Sequence, residues 1–158
     1  MGAKYTVEIT SRSWEHTQQI GEMLAGLASP GDVFLLMGQF GAGKTCLTQG
    51  IARGLAIGGH VSSPSFVVIK EYRGRLPLFH IDLYRFDDLG QVADLGLDDY
   101  LFGQGLCVVE WAEKALSLLP PEHLLVKLRF VETDCRRLSF HPSGSRYEEI
   151  LKHICNWQ

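Results

Sequence analysis

A chain of 158 residues, 46% of them hydrophobic and 21% charged, has the length and composition of one globular domain with its own core. Its 15 basic and 18 acidic residues sum to −3 with histidine neutral, which excludes holding nucleic acid by overall positive charge. Four scattered cysteines without a Cys-x-x-Cys pair and six histidines without ligand spacing argue against a zinc site or disulfide framework, and no apolar run reaches membrane-spanning length. Met1 to Lys4 is not followed by the apolar region of a signal peptide, so a reducing, cytoplasmic setting without membrane attachment is expected.

Tyr5 to Ile9 alternates apolar and polar residues and predicts a strand with one exposed face. Ser13 is expected to cap a helix in which Trp14, Thr17, Ile20, Gly21, Leu24, Leu27 and Ala28 recur near the helical period, as for packing on a sheet. After a Ser29-Pro30-Gly31-Asp32 turn, Val33 to Met37 reads as a buried strand. It leads into Gly38-Gln39-Phe40-Gly41-Ala42-Gly43-Lys44-Thr45, which fits the Walker A phosphate loop. Thr45 to Ile57 then places Leu47, Ile51 and Leu55 on one helical face, and Gly58-Gly59 supplies the expected stop.

Glycines let such a loop curl so that successive N–H groups point at phosphate oxygens, and the helix N-terminus adds its partial positive charge. Lys44 is expected to reach the β- and γ-phosphates, and the Thr45 hydroxyl to ligate Mg²⁺. A glycine-rich turn merely linking strand to helix is the plainer alternative. The strand before, the helix after and the Lys-Thr pair favour a nucleoside triphosphate. The residues expected to touch it are Gly38 through Thr45 and Cys46, a small residue in the first helical turn.

His60 to Phe66, with Pro64 and three serines, predicts a loop in which Ser63 is held extended. Val67 to Tyr72 and Leu78 to Asp82, joined through Arg73-Gly74-Arg75, predict an antiparallel hairpin, unusual beside a phosphate loop. Asp82 closes an apolar strand in the manner of a carboxylate that reaches Mg²⁺-bound water; a cap or an ion pair with Arg85 is the competing reading. Asp87 to Leu101 predicts short helices around Gly96, with charges forming a solvated face or a docking surface. Leu106 to Trp111 is an apolar run ending in Glu110, a Walker B-like carboxylate or a strand-end surface charge, with Trp111 beside it. Pro120-Pro121 ends a short helical stretch. Leu124 to Phe130 and Arg137 to Phe140 predict a last hairpin through Glu132-Thr133-Asp134, with Arg136 in its turn as a candidate for the nucleotide's outer edge. Ser145 is expected to cap a final helix with Tyr147, Ile150, Leu151 and Ile154 buried.

The phosphate loop, Val61 to Phe66, Phe79-His80-Ile81-Asp82-Leu83-Tyr84-Arg85 and Val108-Val109-Glu110-Trp111 stand in the order and spacing of the TsaE family. This is the bacterial ATPase family of tRNA threonylcarbamoyladenosine biosynthesis. The resemblance covers nearly the whole chain and implies a single α/β phosphate-loop domain over residues 1–158, with a mixed parallel and antiparallel sheet flanked by helices. It implies ATP and Mg²⁺ binding, weak ATP hydrolysis, and partnership with the TsaD and TsaB proteins, which it resets between turnovers while meeting tRNA only through that complex. By position it implies Lys44 on phosphate, Thr45 and Glu110 on the metal, and Asp82 as an essential carboxylate near the γ-phosphate. Ser63, Pro64, Ser65 and Phe66 would form a switch-like loop, with Trp111 a functional neighbour. Ser65 and Cys46 stand where the family usually has threonine. Two other classes share the loop: a small-molecule kinase, for which the acidic Asp87–Asp99 stretch offers no arginine-bearing lid, and a non-catalytic nucleotide switch, which would not need two strand-end carboxylates.

Overall fold

The computed structural model describes residues 5–157, so Met1–Lys4, read above for a leader, lie outside the described residues. The order is β1 (Val7–Ser11), α1 (Trp14–Leu27), β2 (Val33–Met37), α2 (Lys44–Gly54), β3 (Ile69–Tyr72), β4 (Leu78–Asp82), α3 (Leu89–Ala93), α4 (Asp98–Leu101), β5 (Leu106–Glu110), β6 (His123–Glu132), β7 (Cys135–Ser143) and α5 (Ser145–Trp157). Two short 3₁₀ turns connect β5 to β6. These strands form one sheet in the order β1-β7-β6-β2-β5-β4-β3. The β6-β2-β5-β4 centre is parallel, while β1 and β7 at one side and β3 at the other join antiparallel.

The centre of the sheet follows from its sequence. Val33 to Leu36 and Leu106 to Val109 are buried on both faces, the continuous apolar run that a parallel strand under helices requires. Phe34, Leu36 and Val108 join Leu47, Ile51, Leu24 and Ile150 in one core. Val33, Leu35 and Val109 face the other way, onto Val92 of α3 and Leu101 of α4.

Helix α1 opens as expected, with the Ser13 hydroxyl accepting the His16 N–H at 3.0 Å. Its Ile20 and Leu24 enter the core, but its closest approach is to α2. A Cβ at Gly50 would lie 2.2 Å from the Gln18 carbonyl oxygen, and one at Gly21 2.4 Å from that of Leu47. The two backbones touch where side chains would otherwise stand.

Several element ends differ from the sequence reading. α2 stops before Gly58-Gly59: the Ala56 N–H bonds the Arg53 carbonyl and the Ile57 N–H that of Ala52, the paired bonds of a Schellman cap. The left-handed residue such a cap needs is Ala56, at φ 59°. β3 starts at Ile69 because Val67 and Val68 both turn back onto the Pro64 carbonyl. Val68 stands at φ 72°, and the Ile69 N–H bonds the Val67 carbonyl at 2.9 Å, a strained γ-turn. Ser145 is the first residue of α5 rather than its cap, since the Glu148 N–H bonds the carbonyl of Gly144.

Candidate functional site

β2 ends in the middle of the sheet, and the 38–43 loop leaves its C-terminal end, where α/β sheets bind ligands. Gly41 and Gly43 take φ 76° and 103°, a region glycine enters freely and other residues do not. Among the described residues nothing lies within 4 Å of a Cβ placed on Gly41, whereas one on Gly38 would lie 2.6 Å from the Leu128 carbonyl oxygen. The loop is thus pressed against β6 at its start and open at its crest. The crest and the first turn of α2 face a cleft of about 510 Å³.

Lys44 is buried in the floor of the cleft. Its Nζ donates to the carbonyls of Gly38 and Gln39, the latter at 3.1 Å, and lies 4.2 Å above the Trp111 ring. Burial pulls the Lys44 pKa below its usual value, against the opposing pull of Glu110, Glu113 and Asp82.

Asp82 and Glu110 end adjacent parallel strands in register. Both are buried, and they are held separately. The Thr45 hydroxyl donates to Glu110 Oε1 at 3.1 Å, and His80 Nε2 meets Glu110 Oε2. Asp82 Oδ2 accepts from Ser63 Oγ and Ser65 Oγ, each at 2.9 Å, while its Oδ1 accepts the Tyr84 N–H at 2.8 Å. Arg85 does not pair with Asp82 here; its Nη1 donates to the Phe66 carbonyl at 2.7 Å. The two serines therefore latch the loop to the end of β4, and Arg85 braces it from outside.

Trp111, at φ 58°, turns the chain out of β5 and places its ring against Lys44. Phe40 and Tyr84 pack edge-on to one another at 4.6 Å between centroids, and Trp111 lies 5.2 and 5.0 Å from the two. At the other end of the cleft Arg136 donates from Nε to the Gly41 carbonyl at 3.0 Å. It belongs to β7 rather than to the turn before it.

The structure brings together most of the residues singled out above. Phe40 through Cys46, Ser63, Ser65, Asp82, Glu110, Trp111 and Arg136 line the cleft. Gly38 and Gln39 stand behind it, their carbonyls taken up by Lys44. Pro64 and Phe66 do not line it, and Phe66 is 92% exposed. Cys46 donates from Sγ to the Trp14 carbonyl at 3.4 Å, and burial raises its thiol pKa. Sequence reasoning missed Trp14 and Thr17 as lining, because the helical period assigned both to the core stripe. Trp14 is 58% exposed. It also missed His80, although its spacing of two from Asp82 puts both on one strand face. Among the described residues no group of three or more His, Cys, Asp or Glu side chains is placed to hold a metal. None of their helices is long and apolar enough to cross a membrane.

Residues 11–138 match the family described as threonylcarbamoyl adenosine biosynthesis protein TsaE. The tRNA threonylcarbamoyladenosine biosynthesis protein TsaE of Bacillus subtilis is 45% identical over 141 residues, covering 89% of this chain and 88% of that protein. Its Treponema pallidum counterpart is 37% identical over 129 residues, covering 82% and 96%. The crystal structure of Bacillus subtilis YdiB superposes with a TM-score of 0.87 at 38% identity, over 99% of this chain and 98% of that one.

Proposed function

The chain belongs to the TsaE family, and from that premise we propose that it is an ATPase serving tRNA threonylcarbamoyladenosine biosynthesis. The observation that carries the reading is the convergence of Lys44 and Thr45 with two buried strand-end carboxylates, Asp82 and Glu110. Backbone N–H groups at the loop crest and the N-terminus of α2 take the phosphates. Lys44 exchanges the carbonyls of Gly38 and Gln39 for phosphate oxygens.

Thr45 Oγ1 and Glu110 Oε1 stand 3.1 Å apart. Neighbouring ligands of an octahedral ion with bonds of about 2.1 Å are separated by about 3 Å, so this all-oxygen pair fits Mg²⁺. Mg²⁺ supplies charge neutralisation at the β- and γ-phosphates when bound. The γ-phosphoryl group passes to water, with the bond to the β-phosphate oxygen breaking as the bond to water forms. In this reading Asp82 orients that water once Ser63 and Ser65 release its Oδ2, a role supported by its burial at a strand end in the cleft.

Beyond Lys44 and Mg²⁺, this apparatus has no further cation free among the described residues to meet the γ-phosphate. Arg85 and Arg136, the arginines attached to the switch-like and phosphate loops, are tied to the carbonyls of Phe66 and Gly41. We assign the missing charge to the TsaD–TsaB pair, which this chain resets by hydrolysis, meeting tRNA only through that complex. Phosphate release from ATP without any acceptor substrate tests the reading. The isolated chain is expected to be slow, and the pair to accelerate it toward the roughly 10³-fold or more that a cation supplied in trans can contribute. Glu110→Ala should lose roughly 10²-fold in Mg²⁺-dependent hydrolysis, as a misplaced group does, while keeping most nucleotide binding. A wild-type rate that is fast alone and unchanged by the pair, or a Glu110→Ala variant at the wild-type rate, would overturn it.

A further inference from the structure

The proposed ATPase site uses Glu110 but leaves unexplained the imidazole behind it. His80 is fully buried in β4, with Val108 beside it on β5 and Leu78 and Leu106 further along the same sheet face. An apolar residue would suit that place. Instead His80 Nε2 meets Glu110 Oε2, and its Nδ1 has no hydrogen-bond partner among the described residues. A lone pair is easier to leave unsatisfied in a core than an N–H, so the proton belongs on Nε2, donated to the carboxylate.

Glu110 is buried too, so bulk water does not orient it. The Thr45 hydroxyl lies 3.1 Å from Oε1 and 3.5 Å from Oε2, and does not by itself decide which oxygen faces it. The neighbouring carboxylate is occupied elsewhere, because Asp82 is held by Ser63, Ser65 and the Tyr84 N–H. The imidazole is what distinguishes the two oxygens of Glu110.

We propose that His80 is the positioning residue of the metal site. It pins Oε2 of Glu110 so that Oε1 and the Thr45 hydroxyl stand ready as neighbouring ligands before a divalent cation arrives. Partners of this kind, which orient a ligand without touching the metal, are worth roughly 10–100-fold in metal affinity. The inference rests on the ATPase reading and extends it to a residue with no contact to nucleotide.

The test is the Mg²⁺ dependence of binding of a fluorescent ATP analogue, measured for wild type, His80→Leu and His80→Gln. Glutamine places an amide N–H near the position of Nε2. In His80→Leu the Mg²⁺ concentration at half effect should rise roughly 10–100-fold, with affinity in excess chelator unchanged. His80→Gln should recover most of that loss. Wild-type protein with labelled histidine supplies an arm that needs no variant to fold: the His80 Nε2–H resonance should shift as Mg²⁺ is added to the nucleotide complex, saturating with the binding effect. An unmoved resonance, a His80→Leu protein with wild-type Mg²⁺ dependence, or a His80→Gln protein no better than His80→Leu would overturn the assignment while leaving the ATPase reading intact. Wild-type nucleotide binding that ignores Mg²⁺ altogether would instead sink the metal-dependent reading, and this inference with it.

Discussion

Lys44 rests on the carbonyls of Gly38 and Gln39 and against the Trp111 ring, so the loop itself satisfies the charge that a phosphate would take. Burial already disfavours the ammonium, and it keeps its place through the three carboxylates that pull the other way. Replacing it removes a charged hydrogen bond of about 1.5–3 kcal/mol, so Lys44→Ala should bind ATP roughly 10–100-fold more weakly or not measurably. Calorimetry checks this, and near wild-type affinity would remove the phosphate-loop reading. The places of Lys44 and Thr45 in the cleft were legible from spacing, because a glycine-rich loop between a buried strand and a helix puts both in the first helical turn. The partners of Asp82 were not. The ion pair with Arg85 does not form, and Asp82 accepts instead the Tyr84 N–H and two serine hydroxyls from a loop about twenty residues earlier, which the sequence did not announce. Pairings across that distance leave no local trace, and the same is true of His80 with Glu110.

The α1–α2 seam and the end of α2 depend on two small residues of opposite requirement. Gly50→Ala gains about 1 kcal/mol of helix propensity. Its new Cβ, however, would meet the backbone of Gln18 at 2.2 Å, and overpacking against backbone that cannot rotate away costs about 3 kcal/mol or more. A net fall in melting temperature of roughly 4–8 °C is expected, measured by calorimetric scanning. Ala56→Gly should do the reverse. The left-handed cap position at φ 59° penalises any Cβ, so glycine there should add about 0.5–1 kcal/mol and raise the melting temperature by roughly 2 °C. The existence and order of these helices and of both hairpins were legible, since period and turn residues are local. The ends were less so: Gly58-Gly59 looked like the stop, yet the chain closed its Schellman cap two residues earlier on alanine.

Across the molecule, both hairpins were legible from turn residues and the mixed sheet was implied by the family resemblance, but not which strand takes the centre. β2 lies between β6 and β5, so the phosphate loop, Glu110 and Asp82 issue from three adjacent parallel strands. The loop carrying Ser63 and Ser65 is tied to this frame at one strained place. Val68 is β-branched and sits at φ 72°, its carbonyl accepting the Asp82 N–H at 2.9 Å while the serines hold the Asp82 side chain. A backbone held there stores roughly 1–3 kcal/mol. Val68→Gly should discharge it, and the Asp82 amide should then gain protection from hydrogen exchange of about tenfold, or about 1.4 kcal/mol; unchanged or faster exchange would show that no strain is held. The native loop thus holds tension as a drawn bow does, if the exchange measurement bears the strain out. The strain at residue 68 opposes the bonds of Ser63 and Ser65 to Asp82, so removing those hydroxyls is expected to favour release of the loop more than their hydrogen bonds alone would.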